Sequence, residues 1–220
     1  NAAHRRTLPE GGASLAIHES QSRLWENLVG RSRPFWEHFF PRLQAACPAL
    51  GRVTLDQFYR AINQVRPSFI RVEADEATYN LHVMLRVELE LALIDGSLEP
   101  SGLPEAWNAR MEEYLGLTPP DAAKGVLQDI HWSAGLFGYF ATYTLGNVIA
   151  AQLWQRFASV HPARDEDMRA GSFAALLGWL RGELHQYGRK YEPQELVQRI
   201  TGSPIDPEPY LQYLEAKYSQ

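Results

Sequence analysis

A single cysteine, Cys47, occurs in 220 residues, which excludes an internal disulfide and any metal site built from several thiolates. Beside Pro48 it reads as a small buried hydrophobe. Long apolar runs are missing too. The longest, residues 146–153, falls far short of the ~20 residues needed to cross a bilayer, so no membrane partner is expected. Positive charge is not in excess: 21 Lys and Arg stand against 26 Asp and Glu, a net charge of −5. That leaves no electrostatic footprint for nucleic acid. No glycine-rich phosphate loop occurs, and no Gly-x-Ser-x-Gly elbow, so a serine hydrolase has no support. No charged-then-apolar leader opens the chain, and a cytoplasmic location is the expectation.

What is present is globular. Hydrophobic residues make up 45% and charged residues 21% of the chain, enough for one ordinary domain or a large piece of a bigger one. No sustained period-two alternation and no internal repeat appear, whereas helical spacing recurs throughout. A helix is predicted over residues 14–29, closed by Gly30. Pro34 opens a second, in which Phe35, Trp36, Phe39 and Phe40 form the apolar side and Pro41 should bend or restart it. Thr54 is a predicted N-cap for a helix reaching Val65. Residues 71–95 give the longest helical pattern, apolar over most of its circumference and crossed by a polar stripe of Arg71, Asp75, Tyr79, His82, Arg86 and Glu90. Buried ionic groups survive only when paired, so the stripe is either an internal ion-pair network or the wall of a polar cleft. Further helices are predicted over residues 104–115, 139–160, 164–186, 193–200 and 207–218, with residues 125–138 irregular and glycine-punctuated. The order implies an all-α fold of many helices, packed non-parallel because prolines interrupt them so often.

The chemistry-bearing groups concentrate in three stretches. Ile17-His18-Glu19-Ser20-Gln21-Ser22-Arg23-Leu24-Trp25 places Glu19, Ser22, Arg23 and Glu26 on one side of a helix. By spacing alone, Glu19 and Arg23 form an ordinary ion pair one turn apart. Ile70-Arg71-Val72-Glu73-Ala74-Asp75-Glu76 offers a guanidinium, which either pairs with Asp75 or binds a carboxylate through its fork. Gly125-Val126-Leu127-Gln128-Asp129-Ile130-His131-Trp132 sets an imidazole in a loop, free to hydrogen-bond an oxyanion or to bond Asp129. Tyr139 and Tyr143 follow on one helical face, as oxyanion donors or as core. Arg189 is a second candidate cation for a carboxylate, with solvent exposure as its default reading.

The sequence His-Glu-Ser-Gln-Ser-Arg at residues 18–23 is very similar to a signature of the Taq-type zinc metallocarboxypeptidases. Residues 70–76 resemble that family's Ile-Arg-x-x-Ala-Asp-Glu motif, and residues 125–132 its Gly-x-x-Gln-Asp-x-His-Trp motif. Residues 185–218 also look like the family. The likeness runs in order from about residue 13, while residues 1–12 match poorly. In the family, zinc is held by two histidines of a His-Glu-x-x-His helix, whose Glu is the catalytic base, and by a later Glu. No His-Glu-x-x-His occurs in these 220 residues, and His4 could at most be a relic of it.

Resemblance therefore implies the C-terminal part of a metallocarboxypeptidase catalytic domain, residues 1–220, forming one wall of a deep substrate groove. Glu19 would be the metal ligand for zinc, with cobalt as a substitute, in a site left incomplete by this chain. Arg71 would hold the free C-terminal carboxylate of a peptide substrate, with Arg189 and His18 as further substrate-binding candidates. His18 is equally readable as structural. His131, Tyr139 and Tyr143 are the catalytic candidates. A broad-specificity homodimer is implied, with this chain inactive alone. The alternative is an inert helical scaffold or interaction domain.

Overall fold

The structure, a computed structural model, describes residues 12–219; His4 lies outside them. Ten α-helices occur among the described residues, and no strand. They are α1 (Leu15–Arg23), α2 (Arg33–Ala46), α3 (Leu55–Ile62), α4 (Tyr79–Ile94), α5 (Leu103–Leu115), α6 (Ala141–Val160), α7 (Arg164–Arg169), α8 (Ala174–Glu183), α9 (Pro193–Thr201) and α10 (Glu208–Tyr218). They fall into two compact units. One comprises residues 1–62 and 145–220, the other residues 63–144.

In the first unit, Ser14 caps α1 by accepting a hydrogen bond from the Ile17 N–H at 3.1 Å. The helix does not run uniformly to residue 29 as predicted. From Leu24 to Val29 it widens into a π turn, closed by the Gly30 N–H on the Trp25 carbonyl at 2.9 Å. The widening keeps Leu24, Leu28 and Val29 buried against Ile149, Leu153, Leu180 and Leu196. Pro41 sits inside α2 without ending it. Thr54 and Gln57 cap α3 reciprocally: Thr54 Oγ1 accepts from the Gln57 N–H at 3.2 Å, and Gln57 Oε1 from the Thr54 N–H at 2.9 Å. The helix predicted over residues 164–186 is two, because Gly171 adopts φ +71° between α7 and α8. His161, just past the end of α6, bonds Asp167 at 2.7 Å.

In the second unit, α4 packs on α5 through Leu85, Leu89, Trp107, Met111 and Leu115. The predicted helix over residues 71–95 begins eight residues late. Arg71–Glu73 is a 3-10 turn, Ala74 is extended at ψ 145°, and Asp75 then accepts from the N–H groups of Ala77 and Thr78, both at 2.9 Å. An aspartate with that role starts a helix, so the chain ahead of it is released from helical geometry.

Candidate active site

Glu19 lies in the first unit with its stem pressed against α6. A Cβ added to Gly146 would come within 2.6 Å of Glu19 Cγ, so only glycine permits the approach. The carboxylate is fixed at both oxygens: Oε1 accepts from Arg23 Nε at 2.8 Å, and Oε2 from Ser22 Oγ at 3.0 Å. The ion pair expected from spacing is therefore present. Each oxygen keeps a second lone pair, and the side chain remains 20% exposed, so a cation can still be accepted. Glu19 fits as one donor of a metal site. Among the described residues no group of three or more His, Cys, Asp or Glu side chains converges to complete it.

His18 is exposed and borders a cleft of about 440 Å³ with Gln21, Trp25, Leu184, His185 and Gly188. Gln21 Oε1 lies 3.0 Å from His185 Nε2 across it. Glu19 is not among the lining residues. Arg189 is exposed, with Nε donating to the Gly12 carbonyl at 3.1 Å.

Arg71 lies in the second unit, 4% exposed. Its partner is not Asp75 but Asp129, fifty-eight positions on. Arg71 Nη2 and Nε both donate to Asp129 Oδ1, at 2.6 and 3.2 Å, while Nη1 donates to the Tyr79 hydroxyl at 2.8 Å. Gln128 fixes the backbone by accepting from the Arg71 N–H at 2.9 Å. The other Asp129 oxygen, Oδ2, accepts from Arg86 Nε at 2.7 Å. Arg86 is fully buried, lies 4.5 Å over the Trp107 ring, and donates from Nη1 to the His82 carbonyl at 2.7 Å. Its Nη2 has no hydrogen-bond partner. An orphaned buried donor of that kind costs about 1–3 kcal/mol, so its retention calls for an explanation.

Electrostatics follow from this packing. Burial would raise the Asp129 pKa, but the hydrogen bonds and charges of Arg71 and Arg86 outweigh it and hold the carboxyl below its ordinary value. Burial pulls the Arg86 guanidinium down to about 10 against the attraction of Asp129, which still leaves it charged at neutral pH. Arg71 shows the reverse balance: burial lowers it, and Asp129 and Tyr79 raise it further than burial lowers it. His82, fully buried with neither ring nitrogen hydrogen-bonded, is pushed down to about 4 by burial and then by Arg86 and Arg71. His131 is lowered as well, chiefly by burial. Its Nε2 lies 2.9 Å from the Tyr143 hydroxyl; its Nδ1 is 3.8 Å from Asp129, too far for a hydrogen bond. Tyr139 packs against the His131 ring at a tilt of 53°, the ring centres 5.4 Å apart. Glu90 accepts from Trp132 Nε1 at 2.6 Å and from the Gly138 N–H at 2.5 Å.

The polar stripe of α4 is thus an internal network. It brings together Arg71, His131, Tyr139 and Tyr143, and adds Asp129 and Arg86, whose roles spacing did not assign. One signal was available: two arginines on a buried helical pattern need a countercharge, and Asp129 stands in the motif beside His131.

A family model described as carboxypeptidase Taq (M32) metallopeptidase matches residues 1–218. The chain belongs to this family. Thermostable carboxypeptidase 1 of Thermus thermophilus is 51% identical to this M32 chain over 212 residues, which is 96% of the chain and 42% of the relative. Carboxypeptidase 1 of Bacillus subtilis is 42% identical over 209 residues, 94% of the chain and 42% of the relative. The crystal structure of the M32 carboxypeptidase from Deinococcus radiodurans matches with a TM-score of 0.92 at 46% identity, covering 95% of this chain and 42% of that one. The M32 chain therefore spans about 42% of the length of these relatives.

Proposed function

We infer that this chain is the C-terminal part of a zinc metallocarboxypeptidase that removes the last residue of peptides with broad specificity. The observation that carries the reading is Glu19, rigidly held in a His-Glu-Ser-Gln-Ser-Arg stretch, in a chain whose M32 relatives are carboxypeptidases. Glu19 would hold the metal together with two histidines supplied from outside these 220 residues. When bound, zinc, or cobalt in its place, supplies Lewis-acid polarisation of the scissile carbonyl. Arg71 binds the free terminal carboxylate. His131 and Tyr143 form a hydrogen-bonded pair suited to donating to the carbonyl oxygen as charge develops on it, with Tyr139 packed beside them. His18 and Arg189, both exposed, would be further contacts for the peptide.

The same reading has the complete enzyme as a cytoplasmic homodimer, and this chain as inactive alone. Among the described residues no helix is long and apolar enough to cross a membrane. In the full-length protein, Glu19→Gln should lose most bound zinc by elemental analysis. Full retention of zinc would remove Glu19 from the metal site.

A second reading, an inert helical scaffold, draws on the commitment of Arg71's donors to Asp129 and Tyr79. Peptidase assays of the full-length protein on free and C-terminally amidated peptides separate the two. Selective cleavage of the free form supports the enzyme, and no cleavage of either supports the scaffold.

A further inference from the structure

Arg71 is the proposed reader of a peptide carboxylate, yet the edge of its guanidinium best suited to that task already holds a carboxylate. Nε and Nη2, the two parallel donors of the fork, both point at Asp129 Oδ1. Arg86 presents the complementary situation. Its Nε is occupied by Asp129 Oδ2 at 2.7 Å, and its Nη2, the neighbouring donor on the same edge, is buried and has no partner. One fork is full and the other is half full, and one aspartate lies between them.

We propose that Arg86 is a positioning residue that takes Asp129 from Arg71 when a substrate carboxylate arrives. This rests on the reading of Arg71 given above. A turn of the Asp129 carboxylate brings Oδ1 from Arg71 onto Arg86 Nη2, converting the half-filled fork into a bidentate pair. The substrate carboxylate then takes the vacated Nε and Nη2 of Arg71. Every donor is satisfied at the end, including the one left over at the start. Charge also balances. Before binding, one carboxylate serves two guanidinium groups; afterwards each guanidinium has its own.

The remaining contacts of Arg86 suit a fixed receiver. Its Nη1 is anchored on the His82 carbonyl at 2.7 Å, its face lies over Trp107, and no part of the residue is exposed. It therefore has no access to substrate and acts only through Asp129. A C-terminal amide, carrying no charge, would not displace Asp129, so the exchange would itself discriminate exopeptidase substrates from internal peptide bonds.

The test uses the full-length wild-type protein, labelled with nitrogen-15 at arginine. Free phenylalanine, the carboxylate-bearing product of a cleavage, is titrated against phenylalaninamide. Phenylalanine should shift the Nε and Nη resonances of both Arg71 and Arg86, and the amide neither. Movement of Arg71 alone overturns the exchange and leaves carboxylate reading intact. Movement of neither overturns that reading and this proposal together, and an equal response to the amide overturns both.

Kinetics supply the second arm. Arg86→Lys keeps the charge and loses the fork, so KM for free-carboxylate peptides should rise about tenfold while kcat changes much less. In an Asp129→Asn background the same substitution should have little further effect. Additive losses in the double variant would show a merely structural arginine and overturn the proposal.

Discussion

At the scale of single residues, Asp129 carries more than any other side chain described. It was legible in the sequence only as a neighbour of His131, because its partners Arg71 and Arg86 stand 58 and 43 positions away. Periodicity reports who shares a helix face, and Asp75 was the nearest acid on that pattern. Which acid reaches across space is decided by the 3-10 turn at Arg71 and by Asp75's own use as a backbone cap. Removing the charge with Asp129→Ala should destabilise the protein by about 3–5 kcal/mol, since two buried cations lose their shared anion. Urea unfolding of variant and parent checks this.

His82 makes a prediction of a different kind. Its folded pKa, lowered to about 4, lies below the ordinary histidine value, so the unfolded chain binds the extra proton first as pH falls. Stability should therefore drop on acidification across the window from about 6.5 to about 4, by ~2 kcal/mol between about pH 7 and about pH 5. Asp129, with its pKa depressed, contributes fully above the unfolded carboxylate value and loses that contribution only at lower pH still. His82→Leu leaves no partner stranded, because neither ring nitrogen has one, and should flatten the decline between those two pH values. An unchanged slope would show that another group sets it.

At the scale of elements, most helices were readable because capping and periodicity agree locally. Thr54 marks the start of α3 as the predicted N-cap, and the structure adds Gln57 as its reciprocal partner. What spacing did not show was helix-to-helix approach. Gly146 is where the Glu19 stem packs, an approach that spacing within either helix does not report. Gly146→Ala should displace the Glu19 stem and cost about 1–3 kcal/mol by overpacking, where alanine at an open helical glycine would ordinarily stabilise by about 1 kcal/mol. In the full-length protein the same variant should weaken zinc retention in dialysis. Retention equal to the parent would detach the Glu19 position from the metal.

At the scale of the whole molecule, the all-helical architecture was accessible from composition and spacing, and the resemblance pointed to the family that the comparisons show. The division into two units was not, since the first is assembled from both ends of the chain and no linker composition marks the join. Assayed alone with added zinc, these 220 residues should give no carboxypeptidase turnover beside the full-length protein, because they contain no His-Glu-x-x-His. Turnover above the blank would contradict that assignment.

The π turn at Leu24–Val29 has a consequence for sequence length in this family. It stores one surplus residue between the Glu19 carboxylate and the leucines that anchor the helix. Deleting that surplus residue would restore ordinary winding and leave the turns on either side nearly in phase, whereas a deletion within residues 20–23, where nothing is stored, would rotate everything upstream by about 100°. Either Leu24, Leu28 and Val29 would keep their burial and the carboxylate would swing off Gly146, or the reverse. A one-codon deletion inside the π turn should thus be tolerated far better than one within residues 20–23, which would throw the helix out of phase with the Glu19 carboxylate.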